Sequence, residues 1–373
     1  MTGRPILLAA GGTGGHMFPA EALARELLAG GHAVALVTDR RGKAFGDALP
    51  EVPVLRIRAA SPSGGLLGKA RALVELGLGT LQAQKLLGRL RPAAVVGFGG
   101  YPSVPAVLAA QRAGIPTVLH EQNAVLGRAN RLLAGGAVSI CTAFPEVEAV
   151  RPADAGKLVL TGNPVRPAIA ALRARPYPAP DGGVLSILVT GGSQGARIFS
   201  EVVPAALERL DAGHRARLRL AQQARPEDIE EVRRRYAALG VRAELETFFR
   251  DMPERLAACH LMVCRAGAST VAELTAAGRP ALLVPYPHAT DDHQTANARA
   301  AEAAGAAWLM QQPDFTPDAL AARLAALLDA PGVLAAAAGA ARGWGSIDAA
   351  SRLAEVALAA AAGRKIETRE NAA

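Results

Sequence analysis

The stretch AAGGTGGH at residues 9–16 joins a run of glycines to a histidine. Glycine fills four of the five positions 11–15, which is more than a tight turn needs. A glycine turn from a strand into a helix lets the backbone approach a ligand closely, and the helix N-terminus offers free N–H groups to an anion. We therefore predict that this turn binds an anion, and the alternative is a tight turn without a ligand.

His16 ends this turn and lies beside the N-terminus of a predicted helix. The helix dipole disfavours positive charge at that end, so we expect the imidazole to stay neutral near neutral pH. A neutral imidazole can take a proton from a hydroxyl, which makes His16 a candidate general base. A histidine that only hydrogen-bonds a neighbouring carbonyl fits the spacing equally well.

Two named phosphate motifs compete for the glycine turns. The P-loop motif requires a lysine that neither glycine-rich stretch supplies. The dinucleotide fingerprint, read from Gly12, meets Met17 where its third glycine should stand, although Asp39 after the next strand could bind a ribose. A dehydrogenase that uses NAD therefore remains an alternative from these residues.

A second candidate site lies in CRAGASTVAEL at residues 264–274. Thr270 and Glu273 have the T-x-x-E spacing of a helix capping box, which is the simpler reading of Glu273. In the functional reading, the backbone amides of Ala268–Thr270 hold a phosphate, and the carboxylate of Glu273 accepts hydrogen bonds from two ribose hydroxyls. The sequence leaves both readings open.

The stretch PHATDDHQTANA at residues 287–298 is rich in polar side chains, among them His288, Asp291, Asp292 and His293. A metal site is one interpretation, but a polar loop lining a cleft is favoured because these residues lack a fixed helical spacing. The amides of Gln294 and Asn297 could bind a sugar, since amides both donate and accept. Arg166 follows TGNPV and is either solvated or close to a pyrophosphate, which a guanidinium suits well.

The order of apolar runs, glycines and helical patterns predicts an α/β fold of two doubly wound parallel sheets. Strands are expected at Ile6–Ala10 and Ala33–Thr38, with a helix between them that Pro19 can begin and Gly30 ends. Residues 185–197 repeat the pattern of 5–16, and 261–288 repeat that of 94–122. The proline- and glycine-rich segment 163–183 is the expected linker, and a cleft is expected between the two halves.

The end of the chain is predicted to be helical and then frayed. Ala319–Leu328 and roughly Ile347–Ala361 have amphipathic helical patterns, and Arg364–Ala373 is the expected frayed tail. We place the domain boundaries at residues 1–165 and 166–345.

Composition, charge and cysteine content limit the classes of protein to which this chain can belong. The chain has 373 residues, no cleavable signal pattern and no uninterrupted apolar run long enough to span a membrane. Three cysteines form no framework, which indicates a reducing cytoplasm. Residues 1–165 hold 17 Lys and Arg against 10 Asp and Glu, so most of the net charge of +8 lies there. A basic half suits an anionic membrane or a phosphorylated substrate, and the few aromatic residues argue against single-stranded nucleic acid as a partner.

Five motifs in one order carry a family resemblance: GGTGGH (11–16), HEQN (120–123), TGNPVR (161–166), GGSQGAR (191–197) and CRAGASTVAE (264–273). Together they closely resemble the MurG family, the bacterial UDP-N-acetylglucosamine–N-acetylmuramyl-(pentapeptide) pyrophosphoryl-undecaprenol N-acetylglucosamine transferases. The similarity runs from about residue 5 to about residue 360. It implies a GT-B fold, with two Rossmann-like domains facing across a cleft and a last helix, 346–363, that packs back on the first domain.

The resemblance also implies a reaction. UDP-GlcNAc would donate GlcNAc, with inversion and without a metal or other cofactor, to the C4 hydroxyl of MurNAc in the lipid-linked acceptor lipid I, giving lipid II for the cell wall. His16 would be the candidate base, and the first glycine turn would hold the acceptor's pyrophosphate. The residues carried over as substrate-binding are Thr13, Gly14, Gly15, Asn123, Arg166, Ser193, Phe249, Ala268, Ser269, Thr270, Glu273 and Gln294.

The family further implies a peripheral position on the cytoplasmic face of the cell membrane. Residues 64–90 carry leucines beside Lys69, Arg71, Lys85 and Arg89, which is typical of a basic amphipathic segment on anionic lipid. An ordinary packing helix is the alternative, and the segment lacks the aromatic residues that often anchor interfacial helices.

Other functions remain open on the sequence. Another GT-B glycosyltransferase that uses a nucleotide sugar would share the region of Glu273 and differ around 11–16 and 120–123. A UDP-sugar epimerase of similar two-domain design would turn over its sugar nucleotide without an acceptor. A nucleotide-binding module without catalysis belongs to a different class.

Overall fold

The computed structural model describes residues 3–11, 14–39, 49–60, 65–178, 180, 183–192 and 195–364. The chain divides into two compact units. The first contains residues 1–165 and 348–373, and the second contains residues 166–347.

The first unit is built on a seven-stranded parallel sheet with the strand order β3-β2-β1-β4-β5-β6-β7. The central strands are fully buried apolar runs, as expected for a parallel sheet covered on both faces. Ile6 pairs with Val34 on one side of β1 and with Ala94 on the other. The strands are β1 Ile6–Ala9, β2 Val34–Thr38, β3 Val54–Arg56, β4 Ala94–Gly97, β5 Thr117–Glu121, β6 Ser139–Thr142 and β7 Leu158–Leu160.

Helices cover both faces of this sheet. They are α1 Gly14–Ala29, α2 Leu66–Leu90, α3 Val104–Arg112 and α4 Arg128–Leu133, together with α14 Ala349–Ala361 from the end of the chain. Leu353 and Val356 of α14 share a buried cluster with Leu23 and Leu27 of α1. The apolar stripe of α14 therefore completes the core of the first unit.

The second unit repeats the same plan with a six-stranded parallel sheet of order β10-β9-β8-β11-β12-β13. Its strands are β8 Leu185–Thr190, β9 Leu218–Gln223, β10 Arg242–Glu246, β11 Leu261–Cys264, β12 Ala281–Leu283 and β13 Ala307–Leu309. Its helices are α5 Pro167–Ala170, α6 Arg197–Arg209, α7 Ala212–Ala216, α8 Ile229–Ala238, α9 Met252–Ala258, α10 Ala268–Ala276, α11 His293–Ala303, α12 Pro317–Asp329 and α13 Gly332–Trp344.

The predicted pair of doubly wound parallel sheets is confirmed, and so is the internal repeat. Strand β8 and its glycine turn occupy in the second sheet the position that β1 and its turn occupy in the first. In both sheets the strand order reverses beside this strand, between β1 and β4 and between β8 and β11. Ligands of doubly wound sheets bind at this switch point, outside the carboxyl ends of the strands.

Two local expectations need correction. Helix α1 begins at Gly14 rather than at Pro19, which lies inside it. Proline lacks the N–H that would bond to the carbonyl of Gly15, so the first turn of α1 is less constrained than a regular helix. The segment 163–183, expected to be a linker, contains α5 and a short 3-10 helix over Ala171–Ala174. The predicted tail lies outside the described residues from 365 onwards.

Among the described helices, none alone has the length and apolar composition needed to cross a membrane. The three cysteines are free and buried.

Helix α2 crosses the backbone of Arg58 at Gly79, where a Cβ atom would lie 1.9 Å from the Arg58 carbonyl oxygen. We expect Gly79→Ala to destabilise the fold by about 1–3 kcal/mol, because a backbone carbonyl cannot move aside cheaply. Gly77→Ala is the matched control, since a Cβ there meets nothing within 4 Å. The control should stabilise the helix by up to about 1 kcal/mol. Thermal unfolding of both variants checks this, and equal Tm values would contradict it.

Candidate active site

The first cluster of polar residues lies at the switch point of the first unit. His16 is in the first turn of α1, which follows β1, and Gly99 and Gly100 follow the neighbouring strand β4. Both glycines have positive φ, +79° and +68°, which a residue with a side chain rarely adopts. A Cβ on Gly100 would lie 3.3 Å from Nε2 of His16, so the glycine keeps this edge of the ring uncrowded.

Three side chains form a connected network beneath this turn. Nδ1 of His16 is 3.0 Å from Oε1 of Gln122, the residue after β5. Nε2 of Gln122 is 2.9 Å from Nδ1 of His120 and 3.1 Å from the carbonyl oxygen of Phe98. Nε2 of His120 is in turn 3.1 Å from the carbonyl oxygen of Gly162. The network joins the ends of β1, β4 and β5 to residue 162.

His120 is fully buried, and its burial lowers its pKa from the ordinary 6.5 to about 4. The cause is desolvation, because an imidazolium loses its hydration in the interior. The carbonyl of Gly162 opposes this shift by favouring the protonated ring, but the desolvation effect is larger. His120 is therefore a neutral hydrogen-bonding residue at neutral pH.

Glu121 organises the loop that follows β5. Its carboxylate is buried and accepts hydrogen bonds from the backbone N–H of Asn123 (3.0 Å) and of Gly127 (2.8 Å). The side-chain amides of Asn123 and Asn130 also donate to it, at 3.2 and 2.8 Å. The candidate substrate residue Asn123 is thus held in place by its neighbour Glu121.

The remaining candidates of the first unit lie in the glycine turn itself. Gly14 and Gly15 are the first two residues of α1, at the end where helix N–H groups lack intrahelical acceptors. Thr13 lies outside the described residues. The predicted anion-binding role of this turn stays a prediction.

The second unit carries a matching glycine turn between β8 and α6. A Cβ on Gly191 would lie 2.2 Å from the backbone nitrogen of Ala196, so the chain can fold back here only with glycine. Gly192 and Gly195 have positive φ, +82° and +69°. Ser193, the candidate within this turn, lies outside the described residues.

Helix α10 begins directly after the loop that follows β11. Its N-cap is Gly267, which has extended backbone angles and no side-chain cap. Ala268, Ser269 and Thr270 form the first turn, where backbone N–H groups are available to an anion. The capping-box reading of Thr270 and Glu273 is wrong, because the helix starts before Thr270 and Glu273 lies beyond its first turn.

Glu273 instead forms a bidentate ion pair with Arg166. Nε of Arg166 donates to Oε1 at 2.7 Å, and Nη2 donates to Oε2 at 2.9 Å. The side chains are 40% and 17% exposed, so water reaches both. The carboxylate raises the pKa of the Arg166 guanidinium, which stays charged. Two candidates predicted separately, 107 residues apart, therefore meet at the start of α5 and on α10.

The other two candidates lie on loops of the second unit. Phe249 is buried in the segment between β10 and α9, with the Arg255 guanidinium 4.2 Å from the centre of its ring. This packing fixes the backbone at residue 249. Gln294 lies in the first turn of α11, where its Oε1 accepts from the backbone N–H of Tyr286 at 2.9 Å. The NH₂ end of Gln294 is the end that can donate to a ligand.

The polar side chains of the stretch 287–298 are held by local hydrogen bonds. No group of three or more His, Cys, Asp or Glu side chains in the described part of the chain is arranged to hold a metal ion, and this stretch is fully described. Asp292 accepts a hydrogen bond from the Thr295 hydroxyl, and His293 bonds the carbonyl of Thr290. Asn297 is buried and donates to the carbonyl of Ala266, so its role is to hold the loop before α10.

Comparison with known proteins decides the family. Residues 6–142 match the glycosyltransferase family 28 N-terminal domain, and residues 186–353 match the glycosyltransferase family 28 C-terminal domain. The chain belongs to glycosyltransferase family 28. The resemblance to the MurG family is confirmed by a relative from Rhodospirillum centenum, 67% identical over 97% of this chain and 96% of that protein. It is named UDP-N-acetylglucosamine--N-acetylmuramyl-(pentapeptide) pyrophosphoryl-undecaprenol N-acetylglucosamine transferase.

Solved structures agree with the family assignment. The crystal structure of Acinetobacter baumannii MurG is 31% identical, with a TM-score of 0.78 over 95% of this chain and 99% of that one. The fold is therefore that of the GT-B glycosyltransferases. A UDP-GlcNAc 2-epimerase from Neisseria meningitidis has a TM-score of 0.65 at 15% identity, over 94% of this chain and 99% of that one. This likeness shows the fold alone and gives the epimerase alternative no further support.

Membership of family 28 also removes the dehydrogenase alternative that Asp39 had left open. Gln122, Glu121 and the glycine pair at 99–100, which position His16 and Asn123, were not predicted from the sequence. Gln122 and Glu121 lie inside the HEQN motif, and this motif was the feature of the sequence that could have identified them as functional residues. Nothing in their spacing indicated which residues they contact.

Proposed function

We propose that this chain transfers GlcNAc from UDP-GlcNAc to the C4 hydroxyl of MurNAc in lipid I, undecaprenyl-pyrophosphoryl-MurNAc-pentapeptide, and so forms lipid II. The enzyme is an N-acetylglucosaminyltransferase of peptidoglycan synthesis. The observation that carries this function is the 67% identity to a transferase of that name over 97% of the chain, which spans both units.

The donor binds to the second unit in this proposal. The first-turn N–H groups of α10, at Ala268, Ser269 and Thr270, receive the diphosphate, and the dipole of this nine-residue helix favours that charge. Glu273 accepts hydrogen bonds from the ribose hydroxyls. Each of its oxygens has more than one acceptor position, so Glu273 can bind the ribose without losing Arg166.

Four further residues complete the proposed donor site. Phe249 presents its fixed backbone to the uracil, and the NH₂ end of Gln294 donates to the sugar. Ser193, which follows β8 in the sequence, contacts the donor. Arg166 stays close to the diphosphate through its ion pair with Glu273, and its remaining N–H groups suit a phosphate oxygen.

The acceptor binds to the first unit, where Thr13, Gly14 and Gly15 hold its pyrophosphate and Asn123 contacts the sugars. His16 takes the proton of the C4 hydroxyl as the oxygen attacks the anomeric carbon from the face opposite UDP. UDP leaves with the bonding electron pair, and its charge is stabilised by the α10 amides and Arg166. We assign no step to a metal or other cofactor, in keeping with the family resemblance.

Helix α2 supports a peripheral position on the cytoplasmic face of the cell membrane. Its exposed side chains include Val74, Leu78 and Leu81, which recur at helical spacing on one face and are 60%, 39% and 58% exposed. Lys85, Arg71 and Arg89 are also exposed and flank this face. A surface that combines apolar and basic side chains binds anionic lipid, and we name this the α2 face.

The reaction is tested by following labelled GlcNAc from UDP-GlcNAc into a lipid I analogue, with EDTA present and with a control that lacks the acceptor. We expect a β-1,4-linked disaccharide lipid in EDTA and no turnover in the control. Donor binding without any transfer by the unaltered enzyme would contradict the proposed acceptor.

His16→Ala should lower kcat by about 10²-fold or more while UDP affinity changes little, because a base acts on the proton and not on the donor.

Replacing Glu273 tests the donor site. We expect Glu273→Gln to weaken UDP binding several-fold, because the neutral amide is a poorer acceptor for the ribose and releases Arg166. Isothermal titration with UDP measures this. Glu208→Gln is the control, since it breaks an exposed ion pair with Arg235 in the same unit. Equal UDP affinity in both variants would contradict a donor role for Glu273.

The α2 face is tested by sedimentation with vesicles of phosphatidylglycerol and phosphatidylcholine. We expect the double variant Leu78→Asp, Leu81→Asp to bind anionic vesicles at least about tenfold more weakly, since each buried leucine contributes about 1.5–3 kcal/mol. Leu132→Asp is the control, because Leu132 is 65% exposed on α4 of the same unit. Transfer to a short-chain, water-soluble acceptor should be unchanged. Equal vesicle binding by all variants would rule out the α2 face.

A further inference from the structure

The hydrogen bonds among His16, Gln122 and His120 determine which ring nitrogen of each histidine carries a hydrogen. The assignment begins at His120, the buried end of the network. Nε2 of His120 is 3.1 Å from the carbonyl oxygen of Gly162. A carbonyl oxygen only accepts, so Nε2 carries the hydrogen. Because His120 is neutral in its buried position, its Nδ1 has no hydrogen and must accept one.

The orientation of the Gln122 side chain follows from this step. Its amide nitrogen lies 2.9 Å from Nδ1 of His120, 3.1 Å from the carbonyl oxygen of Phe98 and 3.0 Å from that of His120. All three neighbours are acceptors, so the NH₂ end must face them. The reversed amide would place its oxygen against three acceptors in a site where Gln122 is only 3% exposed.

The amide oxygen of Gln122 therefore faces His16. An amide oxygen only accepts, so Nδ1 of His16, 3.0 Å away, donates its hydrogen to it. A neutral imidazole carries one hydrogen, which leaves the lone pair of His16 on Nε2. No hydrogen bond to Nε2 comes from the part of the chain that the structure describes.

The surroundings of Nε2 suit a site of proton transfer. This atom lies beside the turn at Gly99 and Gly100, where a Cβ on Gly100 would come within 3.3 Å of it. The glycine leaves the edge of the ring that carries the lone pair free of side-chain crowding. The turn also follows β4, at the switch point where ligands of such sheets bind.

We propose that Gln122 is a positioning residue for the transfer, which holds neutral His16 in the Nδ1–H tautomer so that Nε2 is the proton acceptor. This inference rests on the proposed role of His16 as the base. The hydroxyl O–H bond of the acceptor breaks as its oxygen bonds to the anomeric carbon, and the proton moves to Nε2. The bond from that carbon to the diphosphate breaks, and its electron pair leaves with UDP. The imidazolium formed still donates from Nδ1 to Gln122.

The tautomer is measured directly by NMR on the full chain labelled with ¹⁵N-histidine. The chain has seven histidines, and the spectrum of His16→Asn identifies the signals of His16. In the unaltered protein at a pH where His16 is neutral, we expect a protonated Nδ1 and an unprotonated Nε2. In Gln122→Met, which keeps the side-chain length and removes the acceptor, we expect this signature to be lost.

Gln111→Met is the matched control in the same unit. Gln111 on α3 also donates to a backbone carbonyl, that of Leu133 at 2.8 Å, but has no contact with the network. We expect it to leave the His16 signals and the transfer rate unchanged. Gln122→Met should lower kcat about tenfold or more while the KM for UDP-GlcNAc stays within about twofold, as a role limited to proton transfer requires.

A proton on Nε2 of His16 in the unaltered protein would overturn the inference, and that spectrum needs no Gln122 variant that folds. An unchanged His16 signature in Gln122→Met, or an equal loss in Gln111→Met, would also overturn it. The spectra do not depend on transfer activity. Failure of the lipid I assay would therefore refute the proposed function and leave the tautomer of His16 established.

Discussion

The reversal of strand order beside β1 and β8 is the constraint on which the rest of this structure depends. After each buried parallel strand, the chain continues from the carboxyl end of the strand into a connecting turn. Where two neighbouring strands connect to elements on opposite sides, a crevice opens between their turns. The described structure places a glycine turn at this gap in each unit. Backbone N–H groups and first-turn helix residues therefore collect at the carboxyl ends of these strands.

The glycines at these gaps have different physical tasks. Gly191 is required because a Cβ would collide with the backbone at Ala196, whereas Gly99 and Gly100 adopt left-handed backbone angles beside the His16 ring. The glycine at 191 lets the chain fold back on itself, and the glycines at 99 and 100 keep side chains away from the imidazole of His16. Both follow from the absence of a Cβ atom in glycine.

Hydrogen bonds hold the polar side chains of the two candidate sites in place. Glu121 accepts hydrogen bonds from three donors in the loop after β5 and from Asn130 on α4, and Arg166 and Glu273 form a bidentate pair. Pre-organisation of this kind removes the entropy cost of ordering side chains when a substrate arrives. The two arrangements differ in exposure, since Glu121 is buried and the Arg166–Glu273 pair is open to water. The first is suited to fixing a loop, and the second can share its atoms with a ligand.

Local sequence patterns were enough to predict the strands at Ile6–Ala10 and Ala33–Thr38, the glycine turns, the repeat of one plan in two halves and the family. These features depend on local apolar runs, on backbone freedom and on motifs that are contiguous in the chain. The tertiary structure alone decided the partners of the polar side chains. Gln122 contacts a histidine 106 residues away, and Glu273 pairs with an arginine 107 residues away, although its local spacing suggested a helix cap. The order of strands in a sheet brings such residues together, and hydrogen-bond partners follow from that order and not from distance along the chain.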